Sequence, residues 1–183
     1  MNFAYRILEG SVPYSGVELR SGWVRERTGL SGDAAAGFVG PCLVANEHLV
    51  DLDDARAGTF IRAASMAHVI VEHPGCPLAQ GVLRQRLLVC ILEEVVGLRR
   101  LRRDGDDLYH EGRKLTVSIA APYARGSVIH LGINLDPTGA PVPAIGLALL
   151  QLDATSVLTD LLDRYGHELT TIAHAERKVR TVP

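Results

Sequence analysis

Short apolar runs at Phe3–Leu8 and Gly37–Val44, separated by Gly10, Gly16, Gly32 and Gly40, predict strands joined by tight turns over the first fifty residues. From Leu52 to Val71 the spacing becomes helical: after Ala55, the residues Phe60, Ala63, Ala64, Ala67 and Ile70 recur at three- and four-residue steps. Asp51 suits the N-cap of that helix, Asp54 adds negative charge where the helix dipole favours it, and Pro74-Gly75 ends it. A second helix is predicted from Leu78 to Arg99, apolar around much of its circumference and therefore buried between layers. Strand-type alternation fills Asp106 to Leu135. A third helix from Thr155 to about Lys178 carries Leu158, Leu161, Leu162, Tyr165, Leu169 and Ile172 on one stripe. The expected class is α+β, with helices packed on a largely antiparallel or mixed sheet, in one domain covering 1–183.

Composition supports a packed core, since 47% of the 183 residues are apolar and only 22% are charged. A net charge of −2 removes the general electrostatic case for nucleic acid or an anionic membrane; Leu98–Arg103 (LRRLRR) is the one basic run. The N-terminal MNFAYRILEG lacks the pattern of a leader, and no apolar run reaches the roughly 18 residues of a membrane helix. Three widely spaced cysteines, Cys42, Cys76 and Cys90, predict a reducing, cytoplasmic setting without a disulfide framework. No metal site is expected, because His68 and His73 lie five apart and no third ligand accompanies them.

Chemistry concentrates in GDDLYHEGRKLTVSIA, residues 105–120. Asp106–Tyr109 and Lys114–Ala120 flank the turn His110–Arg113, so a regular hairpin sets Leu108 beside Leu115. Strict alternation then gives Asp107, Tyr109, Lys114, Thr116 and Ser118 the other face. The next strand, Val128–Leu135, alternates too. Ile129, Leu131, Ile133 and Leu135 point one way, and His130, Gly132 and Asn134 the other. A turn near Pro122–Gly126 makes it antiparallel to the lysine strand and brings Asn134 to Lys114. The expected surface therefore gathers Asp107, Lys114, Thr116, His130, Gly132 and Asn134, with Gly132 leaving room for a ligand. The same alternation describes the solvated face of any half-exposed sheet.

From about Arg84 to Asp136, the order RLLVCILEEVVGLRR, GDDLY, HEG, RKLTVSI, VIHLGIN resembles the bacterial biotin–protein ligases. Those carry a helix, then a segment ending in Asn-Asp-Leu-Tyr, a short turn, Arg-Lys-Leu, and a strand ending in Gly-Ile-Asn. Lipoate–protein ligases share its central lysine motif. Together with LRSGW (19–23), GPC (40–42), VDLDD (50–54) and LRQR (83–86), the chain is identified as a member of domain-of-unknown-function family 366, related to the biotin/lipoate ligase and class II synthetase fold. The resemblance implies that Lys114 lies beside the carboxylate of a small acid and the α-phosphate of a nucleotide. There a fixed ammonium offsets the repulsion of two anions. It places Asp107 near the nucleotide and the incoming nucleophile, and Asn134 in the nucleotide pocket. It also implies ATP, with Mg²⁺ carried on the phosphates. Three departures narrow this. No counterpart of the ligases' Arg/Gly-rich ligand loop exists, which removes biotin as the assumed substrate. Thr116-Val117 stands where the ligases have Ala-Gly, and no cysteine follows Cys90 to serve an octanoyl transfer.

Secondary candidates for ligand binding are Arg84 and Arg86, which open the second helix, and the pair Arg20 and Trp23 as a clamp with a stacking ring. Cys42 is a lesser candidate nucleophile, and His130 a lesser pocket residue. Three functions stay open at this point: an enzyme that activates or transfers a small carboxylic acid, a non-catalytic module binding a small molecule or nucleotide, and an RNA-related role through Leu98–Arg103. The first two imply a carboxylic acid or nucleotide as ligand, and leave an acceptor protein and a homodimer to be tested.

Overall fold

The computed structural model describes residues 3–182. Its centre is a five-stranded sheet in the order β1-β2-β3-β8-β7. The strands are β1 (Ala4–Ser11), β2 (Ala34–Val44), β3 (Ile61–Pro74), β7 (Thr116–Tyr123) and β8 (Gly126–Asp136). β1 and β2 run parallel and the other pairs antiparallel. A small antiparallel sheet of β4 (Leu101–Asp104), β5 (Asp107–His110) and β6 (Arg113–Lys114) stands beside it. The helices are α1 (Trp23–Thr28), α2 (Leu52–Arg56), α3 (Leu78–Val96) and α4 (Ala154–Arg177). The class is α+β, and no helix among the described residues is long and apolar enough to cross a membrane.

Two elements depart from the expected types: the short helix α1 stands where only strands and turns were expected, and a strand replaces most of the first predicted helix. The helix expected over Leu52–Val71 lasts only from Leu52 to Arg56, and Ile61–Pro74 is the central strand β3. Asp51 does cap the short helix, its carboxylate accepting the N–H groups of Asp53 and Asp54. The helical spacing beyond it misled because β3 is buried on both faces. Met66 to His73 are all buried, so period-two alternation is erased and Val69-Ile70-Val71 reads as a plain apolar run. The basic run at Leu98–Arg103 also differs: it does not end a helix but passes into strand β4, with exposed arginines.

The sheet is buried on both sides. On one, Val69, Val71, Leu131 and Ile133 pack beneath Leu88 and Leu92 of α3 and Leu158, Leu161 and Leu162 of α4. At roughly 1.5–3 kcal/mol for each large apolar side chain removed from water, this layer supplies most of the driving force. Within it, His73 joins Asp33 (3.0 Å) and the Tyr165 hydroxyl (2.8 Å) in a buried polar chain. On the opposite side Trp23, Phe38, Met66 and Ile70 form a smaller cluster under α1 and the loops that follow β1 and β2. That side opens into a cleft.

Candidate functional site

Lys114 is fixed by main-chain bonds before its side chain is considered. Its N–H donates to the Pro143 carbonyl (2.9 Å), and its own carbonyl accepts from the Ile145 N–H (3.0 Å) and from Asn134 Nδ2 (3.2 Å). At Leu115 the chain crosses from the small sheet into the large one. The Leu115 N–H bonds the Leu108 carbonyl, and the Leu115 carbonyl takes the Asn134 N–H. Leu108 and Leu115 are both fully buried, as the hairpin spacing predicts. Asp107 then reaches Lys114 across the hairpin, with Nζ to Oδ2 at 2.7 Å and both side chains largely covered.

The crossing corrects the expected face. β6 ends at Lys114 and β7 begins at Thr116, so alternation does not run through. Thr116 turns toward the α3 side opposite Ile133, and its hydroxyl accepts the Leu108 N–H at 2.8 Å. Ser118 does likewise, donating to the Asp106 carbonyl and accepting from Gln85 of α3. Val117 and Ile119 line the cleft, where polar residues were expected. Gly132 lies on the expected face but leaves no room for a ligand, because a Cβ there would collide with Met66 Sδ.

The cleft holds about 500 Å³ and has mostly apolar walls, including Leu19, Val44, Phe60, Met66, Val117 and Ile119. Its charged end carries Lys114, Asp107 and Asp54, and Arg62 also lines the cleft. Burial pushes the Lys114 ammonium down, but the neighbouring Asp107 carboxylate outweighs it and holds the group above its ordinary value, charged at neutral pH. Burial lifts the Asp107 carboxyl above its usual range against the pull of Lys114. One N–H of Lys114 serves Asp107, leaving two for a ligand. Arg62 has no ion pair or side-chain hydrogen bond among the described residues. The sequence reading missed it because it lay inside the misassigned helix.

The structure thus brings Lys114, Asp107 and Asn134 together. Arg86 stands at the edge, 3.5 Å from Asp106. Arg84 lies outside the cleft lining, 3.6 Å from the buried Asp33. Arg20 pairs with Glu26 on the surface, and Trp23 is core against Phe38. Cys42 is buried and its thiol is pushed up to about 12 by burial, which makes it a poor nucleophile. His130 forms part of the cleft's inner end, with Tyr14 stacked on it at 3.9 Å. Tyr14 carried no sequence signal: it arrives because residues 12–14 bond to β2.

Comparison with known proteins agrees with this architecture. The model of the family described as domain of unknown function (DUF366) matches residues 3–180. An uncharacterised protein of Methanocaldococcus jannaschii is 36% identical over 174 residues, covering 90% of this chain and 79% of that one. A solved protein of unknown function from Pyrococcus horikoshi superposes with a TM-score of 0.93 at 32% identity, covering 99% of this chain and 100% of the other. Biotin protein ligase from Aquifex aeolicus, in complex with biotin and ATP, gives a TM-score of 0.55 at 13% identity over 92% and 70% of the two chains. A putative lipoate protein ligase from T. acidophilum with bound lipoic acid gives 0.56 at 13% over 93% and 87%. The last two establish a shared biotin/lipoate ligase fold and nothing finer.

Proposed function

The chain belongs to the DUF366 family and has the biotin/lipoate ligase fold, and from that premise we propose that it binds a small carboxylic acid in the cleft and activates it with a nucleotide. The observation that carries this reading is the Lys114–Asp107 pair, 2.7 Å apart, at the charged end of a mainly apolar cavity. An apolar body fits the walls, while the acid's carboxylate meets the two free N–H donors of Lys114. Attack of that carboxylate on the nucleotide α-phosphate brings two anions together and expels pyrophosphate. Lys114 stabilises the charge as it concentrates, and Arg62 is the second cation available to the phosphates. Asp107 holds the ammonium in place, and the Asn134 amide braces the Lys114 carbonyl. Asp51, Asp54 and Asp106 also border the cleft, so phosphates approach only with Mg²⁺ carried on them.

The same fold supports a second reading, a binding module without turnover, favoured by the carboxylates that outnumber cations around the cleft. Pyrophosphate release from ATP over a panel of carboxylic acids separates the two. Activation predicts acid-dependent release that Lys114→Ala lowers on the order of 100-fold. Saturable ligand binding with no release from any acid leaves the module reading, and release indifferent to Lys114→Ala defeats the proposed role of the lysine.

A further inference from the structure

The inner end of the cleft carries a pair of imidazoles that the proposed chemistry does not use. His130 lies four residues before Asn134 on β8, and hence about 13 Å along the strand from the Lys114 end. Its Nε2 is 3.1 Å from Nδ1 of His68, and both rings are buried. Burial disfavours charge on either ring, so a single proton lies between them.

His68 Nε2 is fully buried and has no hydrogen-bond partner among the described residues. Whichever ring owns the shared proton, His130 keeps Nδ1 for other partners, as an acceptor when its proton is on Nε2 and as a donor when it is not. Nδ1 has no partner among the described residues, and it belongs to a side chain that lines the cleft. Tyr14 lies parallel to the ring, at 3.9 Å and 8° between planes, and fixes its orientation. A ligand that fills the cleft displaces water from this nitrogen and must supply a partner or leave it unpaired at a cost.

We propose that His130 Nδ1 determines specificity at the inner end of the cleft, selecting acids that carry a hydroxyl or amide group at the end remote from the carboxylate. Plain alkyl acids lack such a group and leave the nitrogen unpaired. The inference rests on the reading that the carboxylate sits at Lys114.

Titration calorimetry with decanoic acid and ω-hydroxydecanoic acid tests both steps separately. Wild-type protein binds the hydroxy acid about tenfold more tightly. His130→Phe abolishes that preference by weakening the hydroxy acid alone, and Lys114→Ala weakens both acids by the same factor. Nitrogen-15 NMR of histidine-labelled wild-type protein needs no variant to fold: the His130 Nδ1 resonance moves with the hydroxy acid and stays in place with decanoic acid. Equal affinity of the two acids for wild type, still dependent on Lys114, overturns the His130 inference and spares the reading of Lys114. A preference that His130→Phe removes while Lys114→Ala leaves both affinities unchanged keeps His130 as the hydrogen-bonding group and sinks the carboxylate reading. Binding of neither acid overturns the inference.

Discussion

Histidine charge governs how this molecule responds to acid. Burial lowers His68 to about 3, and it lowers His73 and His130 below their ordinary value as well. In the unfolded chain these rings take up protons near pH 6.5, whereas in the fold they do not, so stability falls as pH drops through that value. Asp33 behaves separately: despite burial, His73 and Arg84 hold its carboxyl below the usual range. Its contribution is present above the unfolded carboxylate pKa and is lost only as pH falls toward its folded value. Denaturant titrations between pH 7 and pH 5 are expected to show falling stability, with a slope approaching about 1.36 kcal/mol per pH unit from His68 and further loss in the same direction from His73 and His130. A flat profile over that range would contradict the neutral histidines. At this scale the sequence was informative in one place. Asp107, Lys114 and Asn134 could be read because a short hairpin and one alternating strand place them by local geometry. The His68–His130 pair could not, because it joins residues on β3 and β8 whose register no local pattern reveals.

Among the elements, the segment after β1 depends on one glycine in β2. A Cβ on Gly40 would collide with the Val12 carbonyl, and it is this close approach that lets residues 12–14 bond to β2 and bring Tyr14 over His130. Gly40→Ala should therefore cost about 3 kcal/mol, read as a lower denaturant midpoint with unchanged slope. It should also disturb the His130 imidazole signals. The junction of the two sheets depends on Thr116. Thr116→Val keeps the shape but leaves the buried Leu108 N–H without its acceptor, for a loss of roughly 1–3 kcal/mol. An unchanged midpoint would mean that water or another carbonyl replaces the hydroxyl. Helices α3 and α4 were legible from their apolar stripes and their stops. β3 was not, since a strand covered on both faces has no alternation to read. The slip at Leu115 was hidden for a related reason: alternation carries no mark where a chain leaves one sheet and joins another.

For the molecule as a whole, the α+β class and the ligase-like hairpins were readable before any coordinates, whereas the enclosure of the cleft was not. Its walls come from residues 14–19, 44–66 and 140–144, segments without a shared motif that meet only through the sheet. The order β1-β2-β3-β8-β7 places the first strand and the last two on the same floor. The bonds around Lys114 therefore have a kinetic meaning. They tie it to Asn134, Pro143 and Ile145, about twenty to thirty residues further on, so the lysine is anchored only after both hairpins and the following loop have closed. Native-state hydrogen exchange should show the Lys114 and Ile145 amides opening with nearly the free energy of global unfolding, unlike those of the exposed helix α2. Faster exchange at these two amides would mean that the loop detaches by itself. If they exchange together with the core, the site has no part that opens by itself, and the binding end is lost only when the whole molecule unfolds.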